Sequence, residues 1–224
     1  MNKAGILKLI ELCTLPERVK SCLSDAVSRP EGSAIKKTLR KDPDGLLSGI
    51  ENLLGKAAAI LGLPEESVLF VTGFNANNRA PDRFEAALAE LRSSVFLSGQ
   101  GFSGLKLVEQ SGSRTADLAG TRAGLGYIFE VCRLRNDGAP AGVKRLSSKY
   151  TKKISQVKIS RKKYGCALGG LVLLDGPLGF GPLLPDPALL ALAAQASPIK
   201  DKAGSEHLCL IRGDCFAVWP PWKK

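Results

Sequence analysis

Asp117 and Glu130 are the two acids whose setting most invites chemistry. Glu130 sits inside an apolar run with Tyr127, Ile128, Phe129 and Val131, where a carboxylate needs a partner or a metal because burying an uncompensated charge is costly. Side chains alternate across a strand, so Glu130 and Cys132 share one face while Phe129 and Val131 face a core on the other. Asp117 belongs to a β-like run just before, over 114–119, and the Gly-containing turn 121–126 sets the two runs side by side. The expected outcome is two carboxylates on one sheet face, roughly 4–6 Å apart and able to share one ion. Two hard carboxylates suit Mg²⁺ or Mn²⁺, since magnesium prefers oxygen ligands and keeps waters for a substrate phosphate. Such an ion generates an attacking hydroxide and neutralises charge on the phosphate.

Charge points the same way. The net charge is +11, and residues 133–163 hold eleven basic residues against the single acid Asp137. Such a concentrated stripe is the electrostatic footprint of a polyanion partner, because neutralising phosphates releases condensed counterions. The candidate nucleic-acid contacts are Arg133, Arg135, Lys144, Arg145, Lys152, Lys158, Arg161, Lys162 and Lys163. A solvated, lysine-rich helix face is the ordinary alternative. Localisation of nearly all the excess charge in one segment favours nucleic acid.

The elements that must position these residues follow from periodicity. Residues 1 to about 63 read as helices. In 17–28, Val19, Cys22, Leu23, Ala26 and Val27 recur on one helical face. A further helix starts at Asp42-Pro43 and closes at Gly62 and Pro64. Residues 68–72 read as a short strand and 73–81 as a polar connector. A helix over 82–92 opens on a capping box formed by Asp82 and Glu85. Three β-like runs follow, 105–109, 114–119 and 126–134, as an antiparallel meander. Residues 145–163 are helical, with a narrow apolar stripe of Leu146, Tyr150, Ile154 and Val157 among lysines. Residues 168–174 form an uninterrupted apolar run, the mark of a strand buried on both faces. A helix begins at Asp186-Pro187, and 207–211 with 215–219 closes the chain as a hairpin. The expected class is α/β (α+β), with a mixed central sheet flanked by helices over 76–224 and a helical accessory region over 1–75. The accessory helices pack on the main domain or form a homodimer.

On Thr115-Ala116-Asp117-Leu118 and Tyr127-Ile128-Phe129-Glu130-Val131-Cys132-Arg133, over residues 82–175, the sequence resembles the PD-(D/E)XK nuclease superfamily. The resemblance implies a restriction-endonuclease-like core in which a helix-borne acid precedes a meander, an aspartate lies early in the second strand, and E-x-K lies on the third. It implies Asp117 and Glu130 as catalytic metal ligands for Mg²⁺ or Mn²⁺, with Glu85 matching the helix-borne acid as a third. Glu85 is equally accounted for by its capping box. Cys132 stands where the family places a lysine, and a thiol cannot supply that positive charge. Some members draw the lysine from the following helix, where Lys149 and Lys153 border the apolar stripe and lean over the sheet. The function implied is a metal-dependent nuclease acting on nucleic acid, DNA first, in a prokaryotic defence or mobile-element setting. The alternative is a catalytically inactive protein of the same fold that binds nucleic acid or a partner protein.

Other chemistries lack their signatures. No G-x-S-x-G elbow supports a serine hydrolase, and no GK[ST] supports a P-loop. Six scattered cysteines with no CxxC pair, beside one histidine, exclude zinc-finger spacing and read as reduced thiols. His207, among Leu208, Cys209 and Leu210, reads as structural. Trp219 and Trp222 read as a tail anchored to its own domain. No apolar stretch has the length of a membrane span, so a cytoplasmic protein is expected.

Overall fold

The computed structural model describes residues 2–29, 34–72, 74, 81–108, 116–134, 139–197 and 204–223. The chain divides into two compact units, Met1–Val95 and Phe96–Lys224. The division falls inside a helix, whereas sequence composition placed the boundary at 75/76.

The first unit is helical, as its periodicity predicts. It contains α1 (Lys3–Leu12), α2 (Glu17–Ser28), α3 (Ala34–Lys41), α4 (Pro43–Leu61), α5 (Glu65–Val68), and the start of α6 (Pro81–Gly99). Asp42 caps α4 by accepting from the Gly45 N–H, and Gly62 ends it at φ 65°, the left-handed backbone that glycine adopts without penalty. Leu23, Leu39, Ile50, Leu54 and Ala57 are buried. Residues 68–72, expected as a strand, instead finish α5 and form a 3₁₀ turn, Leu69–Thr72. Pro64 precedes two acids that favour a helix N-terminus, and the buried positions Val68, Leu69 and Thr72 follow helical spacing. β-Branched residues alone misled the strand reading, because burial outweighs propensity in so short a segment.

In the second unit a seven-stranded mixed sheet holds β1 (Ser103–Leu107), β2 (Leu118–Arg122), β3 (Leu125–Leu134), β4 (Leu168–Leu178), β5 (Leu184–Pro185), β6 (Glu206–Gly213) and β7 (Cys215–Trp219), in the order β1-β2-β3-β4-β6-β7-β5. The predicted meander is present: β1, β2 and β3 are antiparallel. Two crossovers follow, through α7 (Val143–Tyr164) and α8 (Pro187–Ala196), making β3, β4 and β6 parallel. Residues Glu109, Arg114 and Thr115 of the predicted runs lie outside the described residues. The fold is therefore α+β, with helices packed against a mixed sheet.

Alternation along β3 sorts its side chains. Tyr127 and Phe129 point to an aromatic cluster with Phe102, Trp222 and His207. The C-terminal tail is thus anchored to its own unit, as expected, and Trp222 Nε1 donates to Gln100 Oε1 at 3.3 Å. Ile128 and Glu130 point to the opposite face, under α7. One glycine lets α7 sit low on the sheet, and its neighbour admits an aromatic ring on the far face. A Cβ at Gly169 would lie 2.5 Å from Val157 Cγ1 of α7, and one at Gly170 would lie 2.8 Å from the Phe129 ring on the far face. The helix is fastened at both ends. Asp175, buried at the end of β4, accepts from the Ala141 N–H and pairs with Arg212, which donates to the Ala141 carbonyl. At the other end Arg161 pairs with Glu206 at 2.6 Å and donates to the Ala167 carbonyl.

Replacing Gly169 with alanine should therefore force α7 off the sheet, lowering unfolding stability by about 1–3 kcal/mol, the usual cost of overpacking a fitted interior. A urea titration with an unchanged slope and a lowered midpoint is the expected result.

Candidate active site

α7 presents Leu146, Tyr150, Val157 and Ser160 buried to the sheet, a row spaced at i, i+4, i+11 and i+14. Lys153 occupies the one remaining turn of that row. Its Nζ lies 2.8 Å from Glu130 Oε1, with the Glu130 side chain 3% exposed and that of Lys153 31%. Nζ also reaches Gln156 Oε1 at 3.4 Å. The lysine expected from the following helix is thus at the acid of the third strand.

Asp117 immediately precedes Leu118, and Glu130 immediately follows its cross-strand partner Phe129, so both acids stand at the same end of the β2–β3 ladder. The Asp117 N–H donates to the Phe129 carbonyl at 2.8 Å. Asp117 Oδ2 accepts the Val131 N–H at 2.7 Å, so its side chain continues the ladder where its own carbonyl turns away to accept from Val108. Ser160 of α7 accepts the neighbouring Ala116 N–H at 3.0 Å. The helix therefore holds both acid-bearing segments, one through Lys153 and one through Ser160.

Burial, and then the charge of Glu130, pushes the Asp117 carboxyl up to about 7; the Val131 N–H and Lys153 pull against this. Burial also raises Glu130 above the ordinary carboxylate range, against its bond to Lys153. For Lys153, burial works against the ammonium, but the Glu130 carboxylate outweighs it and keeps the group charged. Cys132, on the same strand face as Glu130, packs beside the core under α7. Burial raises its thiol against the pull of Lys149, so it stays protonated and does not replace a lysine.

Glu130 Oε2 is buried without a hydrogen-bond partner. A buried acceptor left so costs on the order of 1–3 kcal/mol, and a cation shared with Asp117 would satisfy it. The donor set, two hard carboxylates, fits a divalent ion of the magnesium kind. A three-carboxylate set does not form: among the described residues no three His, Cys, Asp or Glu come together as a metal-binding group. Glu85 is buried in the helical unit, where its Oε1 accepts the Ile35 N–H at 3.1 Å. That backbone bond accounts for a buried acid on α6. The side chain of Asp82, its expected capping partner, lies outside the described residues.

The basic residues divide. Lys144, Arg145, Lys152, Lys158, Lys162 and Lys163 are exposed on α7. Arg161 is not available as a surface cation, because its guanidinium is bound to Glu206, Ser205 and Ala167. Arg135 lies outside the described residues. Arg133, Lys144, Arg145, Lys149 and Lys152 line a cleft of about 870 Å³ at the start of α7. His207 is structural, as expected: its Nδ1 meets the Pro220 carbonyl at 2.8 Å and its ring packs on Trp222.

Comparison with protein-family models, with curated proteins and with solved structures finds no match.

Because the folded pKa of Asp117 is raised, the folded state holds a proton that the unfolded chain has lost between pH about 4 and 7, and stability falls as pH rises through that window. Asp117→Asn, which keeps an acceptor for the Val131 N–H, should flatten this slope. In metal-free buffer at pH 8 it should stabilise the protein by about 1–2 kcal/mol, allowing for partial solvent and Lys153 screening. Denaturant midpoints at pH 5 and 8 check this: wild type should lose more stability between them than the variant, in which only the raised Glu130 carboxyl still contributes.

Proposed function

We propose that this protein is a metal-dependent nuclease of the PD-(D/E)XK kind, cleaving phosphodiester bonds of nucleic acid, DNA first, in the cytoplasm of a prokaryote. The carrying observation is the Lys153–Glu130 contact, which puts a positive charge from the helix where Cys132 leaves none on the strand. All six cysteines are free thiols, in keeping with a reducing compartment. No single helix among the described residues is long and apolar enough to cross a membrane.

In this reading Asp117 and Glu130 would hold Mg²⁺ or Mn²⁺. Bound there, the ion would supply Lewis acidity toward the phosphate and lower the pKa of a water. Glu130 would ligate through Oε2, because Oε1 is committed to Lys153. The ammonium of Lys153, kept protonated by that carboxylate, cannot act as a base; it stabilises negative charge growing on the phosphate oxygens. Lys149 stands further back, against Cys132, and tunes the field without touching Glu130. The exposed cations of α7 hold the nucleic-acid backbone over the sheet end.

A second reading, a binding protein of the same fold without catalysis, is favoured by one observation: the described residues offer two acidic ligands and no third. Cleavage assays on single- and double-stranded DNA and RNA with Mg²⁺ or Mn²⁺ separate the two. For a nuclease, Asp117→Ala and Glu130→Ala should each abolish cleavage and leave nucleic-acid binding intact. Lys153→Ala should cost on the order of 10²–10³ in rate, the scale of one preorganised donor, Lys149→Ala less, and Cys132→Ala little. If wild type is inert and Cys132→Lys gains cleavage, the binding reading replaces the nuclease.

Binding itself should weaken steeply with salt. Reversal of Lys152, Lys158 and Lys162 together to glutamate should lower affinity and flatten the plot of log affinity against log salt. A salt-insensitive interaction, measured by fluorescence anisotropy, would count against nucleic acid as the partner.

A further inference from the structure

The cleft at the start of α7 has more positive charge than one backbone phosphate calls for. Lys144, Arg145, Lys149 and Lys152 enter it from the helix, and Arg133 from the end of β3. No acidic residue is among its described lining. A phosphodiester carries one negative charge, whereas a terminal phosphomonoester carries about −1.5 to −2 near pH 7 and three strong acceptor oxygens. Clustered cations, as opposed to cations strung along a groove, match the second better.

The backbone adds to this. α7 begins at Gly142, which offers no side-chain cap, and its first turn contains no acid, so no acid of that turn offsets the positive end of the helix. That helix start is rigid. Ala141 is held by its N–H on Asp175 and by its carbonyl on Arg212, and β3 and β4 are in register beside it at Leu134 and Asp175. Two elements of one β-α-β unit therefore fix the backbone from which the cations extend. The cleft also adjoins the acid pair, since Lys149 lines it and acts electrostatically on Glu130.

We propose that this cleft binds the terminal phosphate of a nucleic-acid strand, so that the enzyme engages ends. The proposal rests on the nuclease or nucleic-acid-binding reading and narrows it to strands bearing a phosphomonoester. The cleft is one pole of the basic stripe: the outer lysines of α7 hold the chain, and the cleft reads its end.

The test uses the full-length protein in EDTA, where cleavage is silent, and one labelled single-stranded oligonucleotide in three forms: 5′-phosphate, 3′-phosphate and hydroxyl at both ends. One phosphorylated form should bind about tenfold tighter than the hydroxyl form, and which one identifies the strand end. Inorganic phosphate at millimolar concentration should erase that preference. Lys144→Gln with Lys152→Gln, both exposed positions, should reduce the preference toward unity, the phosphorylated form losing more affinity than the hydroxyl form loses. Should that pair fail to fold, Lys144→Gln alone serves, with circular dichroism as the check. Equal binding of all three oligonucleotides overturns the end-binding proposal and leaves the nucleic-acid reading standing. Absence of binding to every form overturns both.

Discussion

A lysine ammonium on the sheet-facing row of a helix, set against a buried glutamate, is the contact around which the rest of the second unit is arranged. Desolvating two ions is expensive, and in most interiors apolar residues of the same volume would serve stability as well or better. Here the pair is also incomplete, with Glu130 Oε2 unsatisfied and a second acid beside it. Local chemistry and packing therefore disagree at this one place, while Leu146, Tyr150 and Val157 on the same row agree with the core. Natural folds concentrate such disagreements where a site operates.

Everything that fixes α7 fixes that contact. Gly169 and Gly170 allow the helix and the Phe129 ring to approach β4 from opposite faces. Asp175 and Arg212 hold its beginning, Arg161 and Glu206 its end, and Ser160, next to Arg161, ties that same end to the segment before Asp117. One rigid helix thus carries an inward cation toward the acids and outward cations toward solvent. In the proposed reading recognition and chemistry would share a single body, so displacement of the helix would alter both together. Arg161 shows the cost of that rigidity: one cation of the basic segment serves as a fastener and is lost to the surface.

Much of this was legible in the residues. Period-two alternation and a glycine-bearing turn were enough to place Asp117 and Glu130 at one end of neighbouring strands, and the 3.6-residue stripe of α7 predicted a helix with lysines at its border. The choice of Lys153 over Lys149 was not legible, because both flank the stripe one turn apart and only where the helix sits along β3 decides which one reaches Glu130. The partners of Glu85, Arg161 and Asp175 were also hidden, each lying far along the chain. Sequence pattern reports periodicity; long-range hydrogen bonding of buried charges appears only after packing. The segment 68–72 failed for the opposite reason, since a four-residue apolar run fits either period and burial chose the helical one.

The acid pair and the basic cleft also constrain each other. A polyanion docked on α7 brings negative charge toward two carboxylates that already resist ionising together, so it would push Asp117 further toward its protonated form. A divalent cation between the acids reverses that sign, neutralising them and attracting the phosphate. By linkage, the factor by which the cation tightens polyanion binding equals the factor by which the polyanion tightens cation binding. A site whose acids were fully ionised and solvated would gain little from this coupling. Burying Asp117 and Glu130 under α7 sets together two acids that resist ionising, and in the proposed reading a metal and a phosphate bound together would relieve that conflict.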